Sequence, residues 1–272
     1  MLIDTHCHLD AAEFDADRQQ VADHACEAGV RSIVIPAIER ANFSVVQRLA
    51  GQIAGGAYAL GIHPLYVQRA QESDLDVLRD TIKQCLGDPR FVAIGEIGLD
   101  FFVPEISAGE ARERQERFYA AQLDMAAEFK LPVLLHVRRS QDILLKYLRR
   151  HGPIGGIAHA FNGSAQQAQA FIDYGFALGM GGAMTYERAL QIRRHAVDVD
   201  LAHLVLETDA PDIPPAWLHP PQRRNRPGEL VRIAAVLAEL RGITPAQVAH
   251  ATTANAMRVL PRLPAAILTD DD

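Results

Sequence analysis

Cysteine is scarce in this sequence: three in 272 residues, at Cys7, Cys26 and Cys85, none spaced as a metal or redox pair. So small and odd a set excludes a disulfide framework and points to a reducing compartment. No apolar run approaches the roughly 20 residues needed to cross a bilayer. Nor does a basic region with an apolar leader precede "LIDTHCHLD", so the expectation is a cytoplasmic chain with no membrane partner. Positive charge is also short, the net charge being −7. That counts against a protein that coats nucleic acid through many phosphate contacts. It does not exclude an enzyme acting on nucleic acid, because metal ions supply positive charge locally. Lysine occurs only at 83, 130 and 146. Neither an internal repeat nor a glycine-rich dinucleotide fingerprint after the first apolar run is found, which weakens the case for a doubly wound open sheet.

What is abundant is apolar residues, 49% of the chain, and they fall into a series of short runs. These read "LIDTHCHL", "RSIVIPAI", "GGAYALGIHP", "RFVAIGEIGLD", "LPVLLHVR", "IGGIAHAF", "YGFALGMGG" and "HLVLETDAP". Several are continuously apolar, the pattern of parallel strands covered on both faces. Between them lie stretches of helical periodicity. "SDLDVLRDTIKQCLG", for example, spaces Leu75, Leu78, Ile82 and Leu86 by three or four. Gly29 and Gly152 read as helix stops, and Ser140 as a helix cap. Strand then helix, eight times, predicts an α/β fold: a single (β/α)8 TIM barrel occupying residues 1–272 as one domain. A further C-terminal helix is predicted to begin with Thr244 at the cap and Pro245 in the first turn. The proline-rich stretch after the eighth run reads as a long loop.

Barrel chemistry sits at the C-terminal ends of the strands. Those ends carry His6 and His8, His63, Glu96, His136, His159, and then Glu207 and Asp209. Strand alternation turns His6 and His8 to one side, together with Asp4, and Cys7 to the other, into packing. Five histidines and several carboxylates at equivalent heights point to a site for two divalent ions. Glu96 would bridge them, with His136 and His159 facing the first pair and Asp209 adding an oxygen. Mixed imidazole and carboxylate ligands suit Zn²⁺ or Mn²⁺ better than Mg²⁺. Some hydrolases of this architecture bridge their metals with a carbamylated lysine, but no lysine here lies at a strand end.

The order "DTHCHL", "GIHP", "AIGEIGLD", "PVLLHVRRS", "HAFNGS", "LVLETDAP", "RNRP", "TTANAMRVL" resembles the TatD family of metal-dependent deoxyribonucleases along nearly the whole chain. The resemblance implies metal-dependent hydrolysis of DNA phosphodiester bonds. It also implies metal ligation by His6, His8, Glu96, His136, His159 and Asp209, the same set as the strand ends select. Two stretches depart from the family pattern. "HAFNG" stands where many relatives have "HCFTG", and Phe101 stands where a tyrosine is usual. Around the metals, His63 and Arg138 are candidates to orient a substrate phosphate, and Glu207 to orient a ligand histidine. Asp209 is expected to orient or deprotonate the attacking water, with Glu96 beside it in catalysis. Asn255 and Arg258 are expected to hold the last helix to the barrel. The expected partner is DNA or a small phosphodiester, acted on by a monomer from one strand end. A two-metal amidohydrolase or lactonase, using the same water on a carbonyl carbon, remains open at this point.

Overall fold

The computed structural model describes residues 1–152 and 154–263. Residues 264–272, the end of the span expected to form one domain, lie outside them. Eight strands form one parallel sheet in chain order: β1 (Leu2–Asp4), β2 (Val30–Pro36), β3 (Gly56–Leu60), β4 (Phe91–Asp100), β5 (Val133–Arg138), β6 (Gly156–His159), β7 (Phe176–Met180) and β8 (Leu204–Leu206). The helices α1 (Arg18–Glu27), α2 (Phe43–Ala50), α3 (Ser73–Cys85), α4 (Gly109–Phe129), α5 (Gln141–His151), α6 (Ala165–Asp173), α7 (Leu190–Asp198) and α8 (Leu230–Arg241) alternate with them. This is the expected (β/α)8 barrel.

The two faces of each strand explain the continuous apolar runs. Ala57 and Ala59 point into the barrel with Val34, Leu134, Ile157, Ala177 and Val205. Tyr58, Leu60, Val133, Leu135 and Leu178 point outward, under the helices. A period of two, with both faces apolar, leaves no polar alternation to read. Small inward side chains suit the narrow barrel lumen.

The sheet closes between its first and last strands just beyond their ladders. Thr5 N–H donates to Leu206 O at 3.1 Å, Asp209 N–H to His6 O at 2.9 Å, and His8 N–H to Ala210 O at 2.8 Å. Strands β1 and β8 are therefore shorter than their apolar runs, and His6, His8, Glu207 and Asp209 stand on loops sewn together by the backbone. Asp4 departs from the expected alternation. Its carboxylate accepts from Thr208 Oγ1 at 2.5 Å, Thr208 N–H at 3.0 Å and the His6 N–H at 3.3 Å. Asp4 holds this seam and does not face the metal site with the two histidines.

The ninth helix, α9 (Pro245–Val259), begins as the sequence predicts. Thr244 Oγ1 accepts from Gln247 N–H, and Pro245 occupies the first turn. Ala256, Val259, Leu260 and Leu263 close the lower end of the lumen against Ile3 and Val92. Asn255 Nδ2 donates to Leu201 O and Leu204 O at 2.7 and 2.8 Å, and Arg258 to Ala202 O. Gly29 follows α1 and Gly152 follows α5 with φ of +103° and +83°, as helix stops. Ser140 differs from expectation. It stands at the N-cap of α5, but its hydroxyl donates to Leu99 O at 2.6 Å and caps nothing. No helix among the described residues is long and apolar enough to cross a membrane.

Candidate metal centre

The buried carboxylate of Glu96 sits at the middle of the mouth, on β4. Its Oε2 lies 3.1 Å from His6 Nε2 and 3.3 Å from His8 Nε2. The other oxygen, Oε1, lies 2.9 Å from His136 Nδ1 and 3.3 Å from His63 Nε2. Each carboxylate oxygen thus has its own pair of imidazoles. Asp209 completes the first group. Its Oδ1 is 3.8, 3.7 and 3.5 Å from the Nε2 atoms of His6, His8 and His159. The His159 ring stacks on His6 with centroids 3.7 Å apart. Three sets of donor atoms are close enough to share an ion: His6–His8–Asp209, His6–Glu96–His159 and His63–Glu96–His136.

Backbone geometry builds this cluster. Gly98 adopts φ +140°, and a Cβ there would overlap the His136 carbonyl oxygen, so β4 and β5 approach closely beneath the site. At Gly179 a Cβ would overlap Glu207 Oε2; the missing side chain is the space the Glu207 carboxylate fills. That carboxylate accepts from Ala160 N–H at 2.6 Å and lies 3.0 Å from His159 Nδ1. It therefore stands behind His159, where it fixes the ring.

The charges are what a cation site requires. Burial alone would push the Glu96 carboxyl up; the imidazoles of His63, His6 and His136 outweigh it and hold it well below the usual range. Burial would likewise depress His8 and His159. Instead Glu96 and Asp209 bring His8 up to about 9, and Glu207 and Asp209 take His159 well above its ordinary value. The carboxylates draw positive charge onto His8 and His159, which both pack on His6, while burial holds His6 below its ordinary value. A divalent ion supplies that charge while leaving the imidazoles neutral, which is the form that ligates. The residues present fit a metal on this count.

His63 is set apart by its proton. Its Nδ1 accepts from the Leu65 N–H at 3.1 Å, and burial, the largest influence, brings its pKa down to about 4. The neutral ring then carries hydrogen on Nε2, toward Glu96 Oε1 and His136 Nδ1. In this tautomer it is a donor at the mouth, as a phosphate-orienting group would be.

Arg138, the other substrate candidate, lies further out. It is half-exposed, with its guanidinium 3.8 Å from the centre of the Phe102 ring and 3.7 Å from Asp100 Oδ2. Asp100 itself escaped the sequence reading. Burial would raise it, but the His136 hydrogen bond and the Phe102 and Val103 N–H groups bring it down to about 2. Its Oδ2 meets His136 Nε2 at 3.1 Å. Asp100 ends β4 in "GLDFF", so the strand-end rule that found Glu96 could also have found it. Cys7 is buried, with its thiol against Ala210 O and away from the cluster. Phe101 is partly buried, and the Arg112 guanidinium lies 4.1 Å above its ring centre.

A family model described as TatD related DNase matches residues 3–261. The chain belongs to the TatD family. An uncharacterised metal-dependent hydrolase of Escherichia coli K12, YjjV, is 40% identical over 93% of this chain and 95% of its own length. The crystal structure of YjjV, a TatD homologue, superposes with a TM-score of 0.87 at 38% identity, covering 96% of this chain and 98% of that one. A relative from Erwinia billingiae, named 3'-5' ssDNA/RNA exonuclease TatD, is 34% identical over 97% of this chain and all of its own length. The TatD chain described here is accordingly a divalent-metal-dependent hydrolase, with the donor groups at its barrel mouth as the candidate metal centre.

Proposed function

We propose that this TatD protein is a deoxyribonuclease that hydrolyses phosphodiester bonds from one end of a DNA strand. The observation that carries the reading is Glu96, whose two oxygens each face a different pair of imidazoles. That arrangement supports two divalent ions per chain, with His6, His8, Glu96, His136, His159 and Asp209 as ligands and Zn²⁺, Mn²⁺ or Mg²⁺ as the metal. When bound, such ions lower the pKa of water and offset charge on a phosphoryl group.

The chain's own residues divide the remaining work. Among Glu96, Asp100, Glu207 and Asp209, Asp209 has the most accessible side chain, 14% exposed against 2% for Glu96. That exposure supports Asp209 as the group that takes a proton from the water that attacks phosphorus. The P–O bond to the sugar breaks, and the departing oxygen regains a proton from solvent. The Arg138 guanidinium donates to non-bridging phosphate oxygens, and the His63 Nε2–H, now turned to Glu96 Oε1, becomes a phosphate donor when substrate enters beside it. Glu207 keeps His159 in one orientation. The working unit of this reading is a monomer with a single barrel domain. Free cysteines fit a cytoplasmic setting.

Metal-reconstituted wild type and D209N, incubated with end-labelled single-stranded DNA and with a lactone and amide panel, test the reading. Stepwise shortening from one end is expected for wild type alone, and a chelator should abolish it. Turnover confined to the carbonyl panel would overturn the nuclease assignment.

A further inference from the structure

The metal centre accounts for the reacting phosphate and says nothing about what holds the rest of a strand. Beside it opens a groove of about 530 Å³, floored by Ala183, Ile213 and Pro214 and flanked by Tyr186, Arg188 and Arg223. The volume lies within the range of small-ligand sites, roughly 300–1,000 Å³. Ala183 and Ile213 also line a smaller cavity that reaches Glu207, Thr208 and Asp209. The groove and that cavity share two lining residues, which sets the groove next to the cavity that Asp209 lines.

Its walls are built in advance. The loop after β7 and the long loop after β8 are tied together. Tyr186 Oη donates to Pro214 O at 3.0 Å, and Thr185 Oγ1 accepts from Ala216 N–H at 2.7 Å. Asn225 Nδ2 pins the same long loop by donating to Thr208 O and Asp212 O, at 2.8 and 2.9 Å.

The arginines of this loop do different work. Arg224 is neutralised by Asp17 through two hydrogen bonds of 2.9 and 2.6 Å. Its neighbour Arg223 is exposed, as is Arg188, and neither forms an ion pair with a carboxylate among the described residues. Two uncompensated guanidinium groups at one groove suit an anion, in a chain whose overall charge is negative. Apolar walls and one aromatic ring beside them suit a base.

We propose that this groove is the subsite for one nucleotide of the substrate strand, adjacent to the scissile bond. The base lies against Tyr186, Ile213 and Pro214, and its phosphate lies between Arg188 and Arg223. The proposal rests on the deoxyribonuclease reading.

The test uses metal-loaded protein and a fluorescent single-stranded oligonucleotide with phosphorothioate linkages, followed by anisotropy over a salt series. Cleavage of the natural strand is measured in parallel. R188A/R223A should weaken binding on the order of tenfold, as loss of contacts at one nucleotide does. Its log–log salt slope should shrink by about 0.7, the value for one phosphate contact on a single strand. R188K/R223K, which keeps both charges, should restore most of the slope. R149A, an exposed arginine near the end of α5, should match wild type. A double variant with wild-type affinity and slope, while wild type still degrades DNA, would overturn the groove assignment and leave the nuclease reading intact. Wild type that neither binds nor degrades the strand would overturn both.

Discussion

Glu96 is the residue on which the metal centre turns. Four imidazole nitrogens lie within 3.3 Å of its two oxygens, so no other side chain touches both groups of ligands through separate atoms. Replacing it with glutamine keeps the volume and removes the negative charge that offsets two cations. E96Q is expected to fold and to retain less than half the metal of wild type, read by metal analysis of the purified proteins. Equal metal content would remove Glu96 from the bridging role. At this scale the sequence was informative where chemistry followed from residue type and strand position. His6, His8, His136 and His159 could be read that way. The donor character of His63 could not, because it depends on the Leu65 N–H occupying Nδ1. Asp100 was legible in principle. Its partnership with His136 Nε2 depends on the β4–β5 register, which no single strand reveals.

At the scale of elements, α9 does what the lower end of an open barrel needs. With the residues that follow it, it sets Ala256, Val259, Leu260 and Leu263 beneath the lumen, while Arg262 donates to the carbonyls of Leu86, Asp88 and Phe91. Asn255 joins this helix to the entry of β8 through both hydrogens of one amide. N255A leaves two carbonyls without that donor, one of them buried, which costs about 2–4 kcal/mol at about 1–2 each. Urea unfolding should show this as a lower midpoint at unchanged slope. A midpoint within error of wild type would show that water replaces the amide freely. Elements were the most legible level of this protein. Short, largely apolar runs alternating with helical stretches located all eight strands, and Thr244-Pro245 marked the start of α9. The ends of β1 and β8 were misplaced, because the chain leaves the ladder at Asp4 and Leu206 while the polar residues that follow stay buried and extend the same stretch. Ser140 was misassigned as a side-chain cap because its hydroxyl donates to Leu99 O on β4 and accepts from no N–H of its own helix.

Across the whole molecule, barrel closure and metal binding are one structure. Two of the three backbone hydrogen bonds that close the sheet involve His6, His8 and Asp209 themselves, and Asp4 grips Thr208 beside them. An ion that draws these side chains together also holds the first and last strands in contact. Binding that favours the native state adds about 2.7 kcal/mol when free metal stands at a hundred times its Kd. For a chain of this size each kcal/mol moves the melting temperature by about 2–4 °C, so chelation should lower it by roughly 5–10 °C. The loss should be local before it is global. The N–H groups of Thr5, His8 and Asp209 are expected to exchange faster in the metal-free protein, while those in the middle of β4 and β5 keep their protection. Hydrogen exchange with and without chelator distinguishes this from a general softening. Uniform acceleration across all eight strands, or none at the seam, would separate the metal centre from closure and leave the first and last strands joined by backbone alone.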